Sequence, residues 1–282
     1  MGYNRVESKR LARQAMRGVS PHPMLVTLVY VLLTGVLTYA IMYFVSNPFN
    51  MAYLYLLDGV YAPEQIYQAV FTPGRVGLFV LMEILLCLYQ WVMTFGYASY
   101  ALRLARGEGP GFRNLLDGFA VLGRAILVSL LVGLFTFLWS LLGLIPYVIL
   151  VVAGSLLGSF FLVVLGIIVL VVWVVAVSYR YRLSLYFALD NPQMGALETV
   201  RQSKLAMQGC KWTLFVQDLS FLGWEILSVF TLGILSLWVI PYVNAADANF
   251  YDWVVHGSFT APGGYERQYG QDPFRKDDPS GF

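Results

Sequence analysis

Long apolar runs, separated by short polar segments, dominate this chain. They cover approximately residues 24–45, 76–102, 119–152, 160–189, 212–232 and 235–255. At about 1.5 Å rise per residue, some 20 apolar residues cross the ~30 Å hydrocarbon layer of a bilayer. The pattern predicts an all-α polytopic membrane protein with about six transmembrane helices, forming a single membrane domain over 1–256. The stretch 147–189 is too long for one crossing. "AGSLLGS" at 153–159 is the preferred turn, with Ile145-Pro146 as the alternative. The run 211–256 suits two crossings with a turn near Gly233, and Pro241 would kink the last.

The polar segments carry their own signals. In "NRVESKRLARQAMRG", Asn4 is a capping residue and Gly18 a stop, followed by Pro21 and Pro23. Arg5, Lys9, Arg13 and Arg17 recur every four residues and Arg10 adds to them, predicting a helix with a basic face. Such a helix reads as lying on anionic inner-leaflet lipids. The segment 46–74 is rich in turns and aromatics, and Pro63 would start a short interfacial helix. Residues 192–208 read as a second amphipathic interfacial helix, with Leu197, Val200 and Met207 on one side. The tail 257–282, with its Gly, Pro and charged residues, reads as disordered and cytoplasmic.

Composition sharpens the class. Of 282 residues, 59% are hydrophobic and 12% charged, against about 25% charged in soluble domains. Cys87 and Cys210 read as unpaired thiols, and His22 and His256 lack metal-ligand spacing. No metal site, cofactor, catalytic residue or nucleic-acid partner is expected from these motifs.

The distribution of charge sets an orientation. Lysine and arginine favour the cytoplasmic side. Six spans place the N-terminal cluster, Arg103, Arg106, Arg113, Arg180, Arg182, Arg201, Lys204, Lys211 and the basic residues of the tail on one side, leaving Arg75 opposite. Both termini are therefore expected inside a plasma membrane. A five-span alternative would export the tail.

Several stretches together resemble a bacterial integral membrane family catalogued as domain of unknown function 975. They are the opening "NRVESKRLARQAMRG", then "YRLSLYFALDNPQMGALETVRQSKLAMQGCKWTLF", "LSFLGWEILSVFTLGILSLWVIPY" and "FYDWV". The "ALETVRQS…QGCKW" cadence is also similar to membrane domains attached to some glycerophosphodiester phosphodiesterases. The resemblance implies location and architecture, and it brings no catalytic residues.

Polar groups inside the spans are the remaining candidates, because ionisable residues there face protein or water. Counting inward from Lys211, Asp218 lies roughly 10 Å deep and Glu225 roughly 21 Å. Arg180, Arg182 and Arg124 fall near the level of Asp218, which predicts a structural ion pair with one of them. Glu83 and Glu225 fall near one another in depth. With Gln90, seven residues beyond Glu83, they form a candidate intramembrane polar site able to share a proton or hold a cation. Two functions follow as expectations. One is a non-enzymatic membrane scaffold whose partners are the bilayer, anionic inner-leaflet lipids, a membrane protein or a second copy of the chain. The other is a small permease or exporter using the buried carboxylates.

Overall fold

The computed structural model describes residues 3–46, 64, 71–260 and 266–267. The segment 47–70, including the helix expected at Pro63, and nearly all of the tail lie outside the described residues, apart from Glu64.

Among the described residues, ten helices of seven residues or more organise the fold: α1 (Arg5–Ala15), α2 (Pro23–Ser46), α3 (Pro73–Arg106), α4 (Leu122–Leu156), α5 (Phe160–Tyr181), α6 (Ser184–Asp190), α7 (Ala196–Ala206), α8 (Lys211–Leu219), α9 (Leu222–Phe230) and α10 (Ser236–His256). The fold is all-α. A two-residue antiparallel pair, Phe259–Thr260 with Glu266–Arg267, closes the described chain. Among the described residues, five helical stretches are long and apolar enough to cross a membrane: Pro23–Ser46, Pro73–Arg106, Leu122–Leu156, Phe160–Asp190 and Lys211–Phe230. The sixth expected span forms as α10 but does not join them. Asn244, Asp247, Asn249 and Asp252 dilute its apolar character, and its second half is buried among other helices.

Helix ends follow local chemistry. The Asn4 side chain accepts from the backbone N–H groups of Val6 and Glu7 at 3.0 and 3.2 Å, while Glu7 pairs with Arg10. Pro73 opens α3, and Gly107 ends it in the left-handed conformation. Gly158 (φ +62°) turns the chain between α4 and α5, within the expected "AGSLLGS", whereas Pro146 stays inside α4. The second amphipathic helix starts at Ala196, later than Pro192, and buries Val200 and Met207 but leaves Leu197 exposed.

Three spans are irregular. In α2 a π-turn covers Leu32–Val36, and α3 answers its carbonyls. Tyr89 Oη donates to Leu33 O (3.0 Å), and Gln90 Nε2 donates to Thr34 O and Thr38 Oγ1 (2.9 Å each). The fourth span breaks at Arg182–Leu183, between α5 and α6. The fifth breaks at Ser220–Phe221, between α8 and α9.

Packing is concentrated at one end. The last turns of α3, α6, the end of α5 and the second half of α10 bury Tyr100, Leu104, Leu183, Phe250 and Tyr251. The α4–α5 hairpin and the first half of α3 instead expose apolar side chains such as Leu81, Ile149 and Phe160, as helices facing lipid do. Both ends of the described chain meet at the packed end, where the Tyr3 ring lies 5.0 Å from Trp253 and 5.8 Å from Phe259. At the same end, the loop after α3 is pressed onto that helix. A Cβ on Gly96 would lie 2.0 Å from Leu115 O, and one on Gly118 would lie 2.1 Å from Val92 O.

Candidate functional site

The packed end holds a set of charged residues on α3, α5, α6, α8 and α10. Arg106, in the last turn of α3, donates to both carboxylate oxygens of Asp190 and to Asp252 (2.7 Å each at the shortest contacts). Tyr251 Oη adds a bond to Asp190 at 3.0 Å. His256 comes close enough that one ligand atom from each of Asp190, Asp252 and His256 fits within 4.8 Å. Since Arg106 already engages both carboxylates, this is an ion-pair knot in which a metal would compete with the guanidinium.

The second set surrounds the break between α5 and α6. Ser203 of α7 bridges that break, accepting from Leu183 N (3.2 Å) and donating to Arg180 O (3.1 Å). Arg182, at the break, donates from Nε and Nη2 to Asp247 Oδ2 at 3.2 and 2.7 Å. Asp247 Oδ1 accepts from Gln217 Nε2 (3.4 Å), and Tyr3 Oη donates to Gln217 Oε1. Burial holds the Tyr3 phenol above its usual range, so it remains a protonated donor at neutral pH.

Arg182 also separates two cavities. One, of about 320 Å³, is lined by Tyr30, Thr94, Tyr97, Tyr186, Asn244 and Asp247 among others. The other, of about 330 Å³, lies between α3, α4 and α5 beside Trp91, Ser129 and Thr136. Arg182 and Leu185 line both. Arg182 therefore forms part of the wall of each. Discontinuous helices with polar groups at the break are where membrane proteins place ligands, because irregular backbone is tolerated only beside protein or a cavity.

Most residues singled out from the sequence find other partners. Asp218 does not pair with an arginine: its Oδ2 accepts from Tyr179 Oη at 2.8 Å, and its buried Oδ1 has no partner among the described residues. Arg182 goes to Asp247. Arg180 lies over the Trp139 ring at 4.5 Å. Arg124 donates to the carbonyls of Asn191 (2.6 Å) and Pro192, the chain that follows α6. Helical rise gives depth but not azimuth, so residues at one level need not face one another.

Glu83 and Glu225 are both exposed on outward faces of α3 and α9 and line neither cavity described above. Gln90 serves the π-turn of α2. On α1, Arg5, Arg10 and Arg13 are exposed, as is Arg17 just beyond it, but the helix packs its apolar side on α10. Lys9 points inward. Its Nζ donates to Ser220 O (2.9 Å) and sits 4.2 Å above the Phe221 ring, holding the break between α8 and α9.

Asp247, Asp252, Arg106, Asp190 and Gln217 were missed as site residues. Their signal was present in "NAADANFYD", where two aspartates and two asparagines interrupt an expected span.

No curated protein and no solved structure matches this chain, so the likeness to membrane domains of glycerophosphodiester phosphodiesterases finds no support. A family model described as protein of unknown function (DUF975) matches residues 1–257. A single match over almost the whole described chain, on a fold of long apolar helices, places this protein in the DUF975 family of membrane proteins.

Proposed function

We propose that the protein is a non-enzymatic component of the bacterial plasma membrane, with both termini cytoplasmic, that gathers anionic lipids or a partner protein at its inner face. One observation carries this reading. The apolar side of α1 is spent on α10, leaving Arg5, Arg13 and Arg17 turned outward at the packed end, with Arg113 and Lys204 also exposed nearby in the loop after α3 and on α7. A cationic rim above apolar arms suits a negatively charged leaflet, where each basic residue contributes about 1 kcal/mol. The test is the lipid retained by the full chain purified in mild detergent. Arg5, Arg13 and Arg17 changed together to Gln should lower anionic lipid recovery relative to zwitterionic lipid; unchanged recovery would refute the reading.

A second reading, a small permease, is favoured by the Arg182–Asp247 pair at a broken span beside two cavities. It replaces Glu83 and Glu225 with residues that line a cavity. Uptake into proteoliposomes that survives Asp247→Asn unchanged would exclude it.

A further inference from the structure

Among the described residues, the charges beside the cavity lined by Tyr186 and Asn244 do not balance. Asp247 and Asp218 both interact electrostatically with Arg182 and with each other. Two carboxylates thus answer one guanidinium. Tyr179 and Tyr3 add neutral hydroxyls to this group, and Glu225 lies on the exposed face of α9. Lone excess charge in a low-dielectric interior is costly and is relieved by a proton or a bound counter-ion.

The wall of the cavity says which. Tyr186 is 5% exposed, lines the cavity, and its hydroxyl makes no hydrogen bond among the described residues. Asn244 gives its Nδ2 to Ile240 O (2.9 Å), which leaves its side-chain oxygen for another donor. With Asp247, these are three acceptors in one cavity. An alkylammonium group carries three N–H donors. Tyr30 and Tyr97, whose rings are 4.4 Å apart, add aromatic faces that attract cations. Leu185, Ile240 and Ala98 supply apolar wall for an alkyl chain.

We infer that this cavity binds a small primary ammonium compound, held by Asp247, Tyr186 and Asn244, and that Arg182 takes the place of the ligand when the cavity is empty. On binding, the ammonium group takes Asp247, and Arg182 turns to the unpartnered Oδ1 of Asp218. Asp247 and Asp218 then each face a cation, in place of sharing Arg182. Arg182 is a competitor of the ligand here, and its removal strengthens binding. The inference concerns binding, whether or not the ligand crosses the membrane, so flux measurements test the permease reading separately.

The experiment is calorimetric titration of the full chain in nanodiscs with butylammonium. Tetramethylammonium, which has no N–H donors, and butyrate, which has the opposite charge, serve as comparisons. Saturable butylammonium binding is expected, at least tenfold weaker in Asp247→Asn and stronger in Arg182→Gln. Tyr186→Phe removes one acceptor and should weaken binding about two- to tenfold; it keeps the test decisive if Asp247→Asn does not fold. Several results would overturn the inference. They are no saturable binding, binding indifferent to both Asp247→Asn and Tyr186→Phe, and proton uptake on acidification with no ammonium binding. Butyrate binding that disappears in Arg182→Gln would also overturn it, by making this an anion site.

Discussion

Replacing Arg106 by Met removes a cation that joins α3, α6 and α10. In the native chain this guanidinium makes four donor contacts, with 18% of its side chain exposed, against Asp190 at 20% and Asp252 at 0%. Methionine fills similar space but removes the guanidinium that both carboxylates share. Breaking a buried pair by removing one partner costs about 3–5 kcal/mol, mainly through the charge left behind. For a chain of this size each kcal/mol moves the melting temperature by roughly 2–4 °C, so the variant should melt roughly 6–20 °C lower. Thermal unfolding in detergent, followed by tryptophan fluorescence, reads this directly.

One control identifies the cause. The triple variant Arg106→Met, Asp190→Asn, Asp252→Asn should recover most of the loss. A single variant melting within about 2 °C of wild type, or a triple variant that recovers none of the loss, would refute the reasoning.

Other consequences follow from the same structure. Gly96→Ala and Gly118→Ala each force a methyl against a backbone carbonyl oxygen; each should lower the melting temperature or abolish folded yield, whereas Gly123→Ala, with open space around it, should not. Burial, followed by the charges of Arg5 and Arg13, holds the Lys9 ammonium below its ordinary 10.5. The unfolded chain therefore binds more protons between the lowered value and 10.5, and stability should rise with pH across that window in wild type but not in Lys9→Met. Glu83→Gln and Glu225→Gln leave outward faces of α3 and α9 neutral, and neither should change the melting temperature of the purified chain by more than a degree or two.

What could be read in the sequence was whatever depends on distance along the chain. Apolar runs long enough for lipid, the glycine turn near 158 and the Asn4 cap all depend on nearest neighbours or on counting. What failed depends on rotation about helix axes and on which helix lies next to which. Asp218 and the arginines share a level, yet Tyr179 reaches Asp218 first, and Arg182 lies at a break that turns it towards α10. Glu83 and Glu225 share a level as well, but both face outward. The decisive partner, Asp247, lay within a segment read as an ordinary span because its flanking residues are apolar. Its neighbours Asn244, Asn249 and Asp252 mark a helix buried in polar company rather than one facing lipid.

The proposed function requires one arrangement in the bilayer: the packed, charged end on the cytoplasmic side and the apolar arms reaching away from it. Single cysteines placed in a chain lacking Cys87 and Cys210, and labelled in intact cells with a membrane-impermeant maleimide, test this most directly. Ser159→Cys, at the turn between α4 and α5, should label from outside. Gln193→Cys, beside the Arg106 knot, should label only after the cells are opened. Labelling of Gln193→Cys in intact cells, with Ser159→Cys protected, would contradict the account.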